Sequence, residues 1–177
     1  TTGCRRVLEL GAGQSSLAIA RALEGQGGGR LTSIDHAPQF AREAWEAVTA
    51  CAGVDARLVV AGLGWTECGA ASFRSYVGID EALRTLAPFD LVLIDGPPGA
   101  RTGRTATLYQ VAPHLAPGAL VVLDDYQRPD EQADVARWLR DMPSLEPLVL
   151  TSTFGRGVAV LRMGDAPRAV SSAHEAR

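Results

Sequence analysis

The chain has 177 residues, 46 % of them hydrophobic and 21 % charged, enough for one domain with its own core and incompatible with wholesale disorder. Its formal net charge of −3 argues against a protein held to nucleic acid by phosphate contacts, and no apolar run approaches the ~20 residues of a membrane helix. All 17 side chains counted as Lys or Arg are arginines, so a lysine Schiff base, a lysine general base and a P-loop are excluded.

In chain order, residues 5–10 form a short apolar run ending at Gly11, the signature of a buried strand. Apolar residues at helical spacing predict a helix over Ser15–Glu24, and Gly25–Gly29 reads as a turn. Leu31–Ile34 is a second strand closed by Asp35, Pro38–Ala52 a helix with proline in its first turn, and Arg57–Ala61 a third strand. A loop carrying Trp65, Cys68, Phe73 and Tyr76 leads to a short helix over Asp80–Leu86. Phe89–Ile94 is a fourth strand ending at Asp95, Thr105–Leu115 a helix before a Pro117-Gly118 turn, and Ala119–Leu123 a fifth strand ending at Asp124-Asp125. A helix over Pro129–Arg140 precedes a hairpin of Pro147–Thr153 and Gly157–Arg162, joined through Phe154-Gly155-Arg156. One domain is expected over residues 1–164, with an unpatterned tail over 165–177. The abrupt entry into a strand suggests a preceding N-terminal segment. Three cysteines without CxxC spacing (Cys4, Cys51, Cys68) read as free thiols in a reducing, cytoplasmic setting.

Near-continuously apolar strands alternating with helices imply an α/β doubly wound, mostly parallel sheet covered on both faces. Such sheets bind ligands at the carboxyl ends of their strands. Those ends carry the unusual residues here: Glu9 with Gly11 and Gly13, then Asp35, Gly62 with Trp65, Asp95, and Asp124-Asp125. Position 16, where a dinucleotide fingerprint has its third glycine, is Ser16. Asp35 suits the two hydroxyls of a ribose, or alternatively caps the next helix. Asp124-Asp125 suits a cation, or alternatively the N-terminus of the helix that follows. Arg101 and Arg104 either grip an anionic substrate or stand in solvent; His36 reads as a polar helix-entry residue, and His114 and Trp138 as structural.

Together Glu9-Leu10-Gly11-Ala12-Gly13, Ser33-Ile34-Asp35, Asp90 to Gly96 and Ala119 to Asp125 resemble a class I S-adenosylmethionine-dependent methyltransferase, over residues 5–163. The resemblance implies a Rossmann-like seven-stranded sheet whose last strand is antiparallel. It implies cofactor contacts from Glu9, Gly11, Gly13, Ser15, Ser16, Asp35 and Asp95, with Gly62, Leu63 and Trp65 near the adenine. Asp95-Gly96-Pro97-Pro98-Gly99 and Leu123 to Arg128 further resemble a small bacterial branch akin to catechol-type O-methyltransferases. That likeness implies catalytic Asp95 and Asp124, and Mg²⁺ or a similar divalent cation on Asp95, Asp124 and Asp125. This chain departs from the branch in having Asp125 where asparagine is usual and no lysine after Asp95.

The expected activity is therefore methyl transfer from S-adenosylmethionine to a small-molecule acceptor, at oxygen, with no nucleic-acid or membrane partner; a homodimer is the assembly left open. A nicotinamide-dependent oxidoreductase shares the glycine turn and Asp35, and a non-catalytic cofactor-binding interaction module shares the fold. Both stand as alternatives.

Overall fold

The computed structural model describes residues 3–68, 71–98, 104–151 and 156–164. The strands are β1 (Arg6–Leu10), β2 (Gly29–Asp35), β3 (Val54–Val60), β4 (Leu63–Cys68), β5 (Ala71–Tyr76), β6 (Phe89–Ile94), β7 (Leu115–Asp124), β8 (Leu145–Thr151) and β9 (Val158–Met163). The α-helices are α1 (Gln14–Gly25), α2 (Arg42–Thr49), α3 (Asp80–Leu86), α4 (Thr105–Val111) and α5 (Pro129–Asp141). Seven strands form one sheet in the order β3-β2-β1-β6-β7-β9-β8. β9 runs antiparallel to both its neighbours, while the pairs from β3 across to β7 are parallel. The expected Rossmann-like sheet with an antiparallel last strand is thus found. The chain winds outward from β1 to β3 and returns to β1's other side with β6, so the switch in strand order lies between β1 and β6.

Strand alternation divides the core between the sheet's two faces. Val7 and Leu31 pack with Ala20 and Leu23 of α1 and Val48 of α2. Leu8, Leu10, Ile34, Val92 and Ile94 join the larger cluster with α3, α4 and α5, in which Trp138 is fully buried. The Trp138 indole N–H donates to the Thr105 carbonyl at 2.9 Å, tying α5 to α4. Among the described residues, no helix is long and apolar enough to cross a membrane.

Four elements differ from the sequence reading. The expected loop carrying Trp65, Phe73 and Tyr76 is a two-stranded hairpin, β4-β5, in which Phe73 and Ser75 turn inward and Ser72 and Arg74 outward. That period of two is present in the sequence of residues 71–75. The helix expected over Pro38–Ala52 is a 3₁₀ turn at Pro38–Phe40 followed by the shorter α2. The helix expected to reach Leu115 passes into a 3₁₀ turn at Ala112–His114. β7 starts at Leu115 instead of Ala119: its register against β6 jumps from Phe89–Leu115 to Leu91–Leu120, and the Pro117-Gly118 turn becomes surplus residues within the strand. The tail 165–177, Arg101 and residues 154–155 lie outside the described residues.

Candidate functional site at the carboxyl edge of the sheet

The turn after β1 is built on Gly11. Its φ is +100°, and a Cβ there would stand 2.8 Å from the Gly96 nitrogen and 3.0 Å from the Asp95 carbonyl carbon. Only glycine lets the β1 turn and the end of β6 approach this closely. Two backbone bonds fasten the contact: Asp95 N–H donates to Leu10, and Gly11 N–H to Ile34, both at 2.9 Å. Gly13 is extended, with open space where a Cβ would project. Its backbone is therefore open to a ligand on that side.

Glu9 stands behind this turn. Alternation puts it on the α1 face with Val7, opposite Ser33 of β2 in the parallel register. It is fully buried. One carboxylate oxygen accepts the Ser15 hydroxyl, and the other those of Ser16 and Ser33, each at 2.5 Å. Burial pushes the Glu9 carboxyl up, and the three hydroxyl bonds oppose that rise. Glu9 and Ser16 were expected among the cofactor contacts. The structure places both side chains below the surface, where they fasten the first turn of α1 to β1 and β2.

A cleft of about 380 Å³ opens above, lined by Gly11, Ala12, Gly13, Gln14, Ser15, Asp35, His36, Asp95, Gly96 and Pro98. Asp35 forms part of its wall and also caps its neighbours. Its oxygens accept Ala12 N–H at 2.9 Å and Ala37 N–H at 2.6 Å. A carboxylate has about four acceptor positions, so capping leaves Asp35 capacity for further donors. The two backbone bonds fasten the turn after β1 to the entry of the Pro38–Phe40 turn. His36 sits with Nδ1 3.3 Å from Asp35, at the helix entry as read. Gly62 and Trp65 do not border the cleft. Gly62 closes the base of the hairpin by accepting Val77 N–H at 2.9 Å. Trp65 rides up β4 opposite Arg74 and is 72 % exposed, because its segment pairs as a strand instead of lying over the edge as a loop.

Asp95, Asp124 and Asp125 converge: each offers a carboxylate oxygen within 4.8 Å of the others. Their surroundings are cationic. Arg104, at the N-terminus of α4, directs Nη2 to Asp95 Oδ1 (3.0 Å), Asp125 Oδ2 (3.1 Å) and the Asp95 carbonyl (2.7 Å), and Nη1 to the Asp124 carbonyl (2.8 Å). Arg128 reaches Asp125 Oδ2 at 2.9 Å, and Arg156 stands 3.5 Å from Oδ1. Asp125 itself is 1 % exposed, with φ of +60°, a conformation aspartate tolerates better than most residues. Asp95 and Asp124 are half-buried, the Asp95 side chain 39 % exposed. Burial pushes the Asp95 carboxyl up; Arg104 opposes this, while Asp124 and Asp125 add to it.

Two participants escaped the sequence reading. The sequence is compatible with Arg104 gripping substrate or standing in solvent, yet it is buried against Asp95 and Asp125. Tyr76, assigned to a loop, is fully buried at the end of β5. Its hydroxyl lies 2.5 Å from where a Cβ on Gly96 would stand, so Gly96 is confined from beneath. That hydroxyl has no hydrogen-bond partner among the described residues, and burial, with Asp35 next, pushes its pKa up. A larger cavity of about 930 Å³ lies between the hairpin and α4–α5, away from the acidic cluster, with Thr66, Phe73, Tyr109 and Arg137 in its lining.

Residues 8–126 match the family model described as a methyltransferase domain, about two thirds of the chain, from β1 to just past Asp125. The chain belongs to this methyltransferase family. The match carries the S-adenosylmethionine-dependent, class I assignment expected from the sequence, and the oxidoreductase and interaction-module alternatives give way to it. Solved structures share the fold of this methyltransferase. An O-methyltransferase from Bacillus cereus in complex with SAH is 18 % identical, with 92 % of this chain and 75 % of that one covered at a TM-score of 0.60. A methyltransferase from Geobacter sulfurreducens is 15 % identical, with 93 % and 73 % covered and a TM-score of 0.59. NSun6 from Pyrococcus horikoshii with SFG is 14 % identical at a TM-score of 0.61, and the chain spans 49 % of its length. No curated protein sequence matches the chain.

Proposed function

We propose that this methyltransferase acts on a hydroxyl of a small-molecule acceptor, with the glycine turn, Ser15 and Asp35 holding the cofactor and Asp95 receiving the acceptor's proton. One observation carries the reading: Asp95 belongs both to the wall of the glycine-turn cleft and to the acidic cluster. When bound, S-adenosylmethionine supplies an electrophilic methyl group on a sulfonium. The cleft suits it: the backbone at Gly13 is bare, and Asp35 has acceptor capacity for ribose hydroxyls. Asp95 Oδ1 is fixed by Arg104, while Oδ2 accepts no hydrogen bond among the described residues and is the oxygen open to an acceptor hydroxyl. Proton removal there sharpens the attacking oxygen as it displaces the thioether in line. The O-methyltransferase among the structural neighbours supports the choice of oxygen. The reading assigns no step to a divalent cation, because Arg104 already lies between the carboxylates.

The test is calorimetry with S-adenosylmethionine, then turnover on a panel of phenolic and aliphatic hydroxyl acceptors by wild type and Asp95→Asn. Asp95→Asn is expected to keep cofactor affinity within about threefold while turnover falls roughly 10²-fold or more, the usual range for a lost general base. Undiminished turnover removes Asp95 from the chemistry. Absence of cofactor binding by the wild type removes the whole reading.

A further inference from the structure

The cluster of Asp95, Asp124 and Asp125 has the shape of a divalent-cation site, and its contents argue against one. Arg104 Nη2 lies 3.0 Å from Asp95 Oδ1 and 3.1 Å from Asp125 Oδ2. A hard cation on those oxygens would sit about 2.0–2.6 Å from each, and so within roughly 5 Å of the guanidinium. Arginine cannot shed its charge to make room. Nor is Arg104 free to swing away. It is 7 % exposed, its hydrogen bonds reach the backbone carbonyls of both Asp95 and Asp124, and Glu131 lies 3.8 Å from Nη1. Asp125 Oδ2 is further engaged by Arg128 at 2.9 Å, and Oδ1 faces Arg156. Three acids at this edge, Asp95, Asp125 and Glu131, therefore meet three guanidiniums, two of which pair with Glu131, while Asp124 offers Arg104 its backbone carbonyl.

We propose that Arg104 is the resident cation of this site. Its guanidinium takes the place expected for a divalent ion, orients Asp95 through Oδ1, and makes the methyl transfer independent of divalent metal. In this role Arg104 is a positioning residue, since it acts on the acceptor through Asp95. The inference rests on the methyl-transfer reading for its function, yet its central claim concerns cation binding and is read without cofactor or acceptor.

The experiment is a Mn²⁺ titration of the full chain, followed by electron paramagnetic resonance of free Mn²⁺ and by calorimetry, for wild type, Arg104→Ala and Arg104→Lys. Wild type and Arg104→Lys are expected to bind no Mn²⁺ at micromolar concentrations. Arg104→Ala is expected to take up one Mn²⁺ at least 100-fold more tightly than wild type. Stoichiometric Mn²⁺ on the wild type at micromolar concentration overturns the proposal. So does a folded Arg104→Ala that gains no affinity, or an Arg104→Lys that binds as Arg104→Ala does, since the retained charge would then exclude nothing. Should Arg104→Ala fail to fold, the wild type and Arg104→Lys still decide. Cofactor affinity measured with and without chelator stands apart: failure to bind S-adenosylmethionine refutes the methyltransferase reading and leaves the Mn²⁺ result intact.

Discussion

Gly11 and Gly13 occupy the same turn, and the structure gives them different tasks that alanine substitution separates. At Gly11 an added Cβ would meet backbone at 2.8 and 3.0 Å, with φ at +100°. The backbone conformation alone costs about 1–3 kcal/mol for a non-glycine residue. Relief of the overlap must push the Asp95-Gly96 backbone away from β1, straining the bonds that join Asp95 to Leu10 and Gly11 to Ile34. Gly11→Ala should therefore lose roughly 2–4 kcal/mol, a fall in Tm of about 5–15 °C for a chain of this size. At Gly13 nothing lies within 4 Å and the backbone is extended. Gly13→Ala should cost about 1 kcal/mol or less, from the poorer capping of α1 by alanine. Its methyl group enters the space a cofactor would use, so affinity for S-adenosylmethionine should fall at least tenfold. Urea denaturation and cofactor calorimetry on both variants check this. A Gly11→Ala as stable as wild type, or a Gly13→Ala that binds the cofactor normally, would refute the assignment of the two glycines.

Asp35→Ala should weaken S-adenosylmethionine binding roughly 10–100-fold by calorimetry and lower stability by about 1–3 kcal/mol, because the Ala12 and Ala37 N–H groups lose their acceptor; unchanged affinity would remove Asp35 from the site. Asp134 gives a pH prediction: burial pushes its carboxyl up to about 6 from the ordinary 3.8. Between those values the folded chain holds more protons than the unfolded one, so this group's contribution to stability falls as pH rises from about 4 to 6.5, by at most about 3 kcal/mol. Asp134→Asn keeps an acceptor for the Thr105 hydroxyl, which donates to Asp134 at 2.6 Å. It should be more stable than wild type at pH 7.5 and lose that advantage near pH 4, read from urea midpoints across pH; a difference that does not vary with pH refutes the shift.

What the sequence made legible followed from local pattern. Apolar runs ending in Gly11, Asp35, Asp95 and Asp124 located the parallel strands and their carboxyl ends, because a strand buried on both faces has few other ways to read. The convergence of Asp95, Asp124 and Asp125 followed from β6 and β7 being neighbours. The contents of side-chain networks were not legible. Glu9 reads as a cleft residue until the register shows Ser33 beside it and α1 brings Ser15 and Ser16 down onto it. The family resemblance puts Trp65 near the adenine, whereas the β4-β5 pairing sets it opposite Arg74 and outside the lining of the cleft. Tyr76, in a segment that reads as a loop, is buried because β5 pairs with β4.

Arg104 shows where such reading stops, and why. An arginine nine residues beyond a strand-end aspartate is compatible with solvent, substrate or a salt bridge, and spacing alone cannot choose. The choice is made by α4, which begins at Thr105 and is held at its start by Asp134 and Trp138 through Thr105. That anchoring fixes Arg104 beside the ends of β6 and β7, where two strand-end carbonyls and two carboxylates point at one guanidinium. With Nη1 and Nη2 engaged in these four hydrogen bonds, Asp95 Oδ1 and Asp125 Oδ2 are already shared with a guanidinium. Of the three aspartates that suggest a metal site in the sequence, Asp95 and Asp125 place carboxylate oxygens on Arg104 and Asp124 its backbone carbonyl. The absence of lysine after Asp95 and the presence of Asp125 in place of asparagine fit that outcome: the added carboxylate is matched by Arg128 and Arg156, and the charge that a metal would bring is already supplied by the chain.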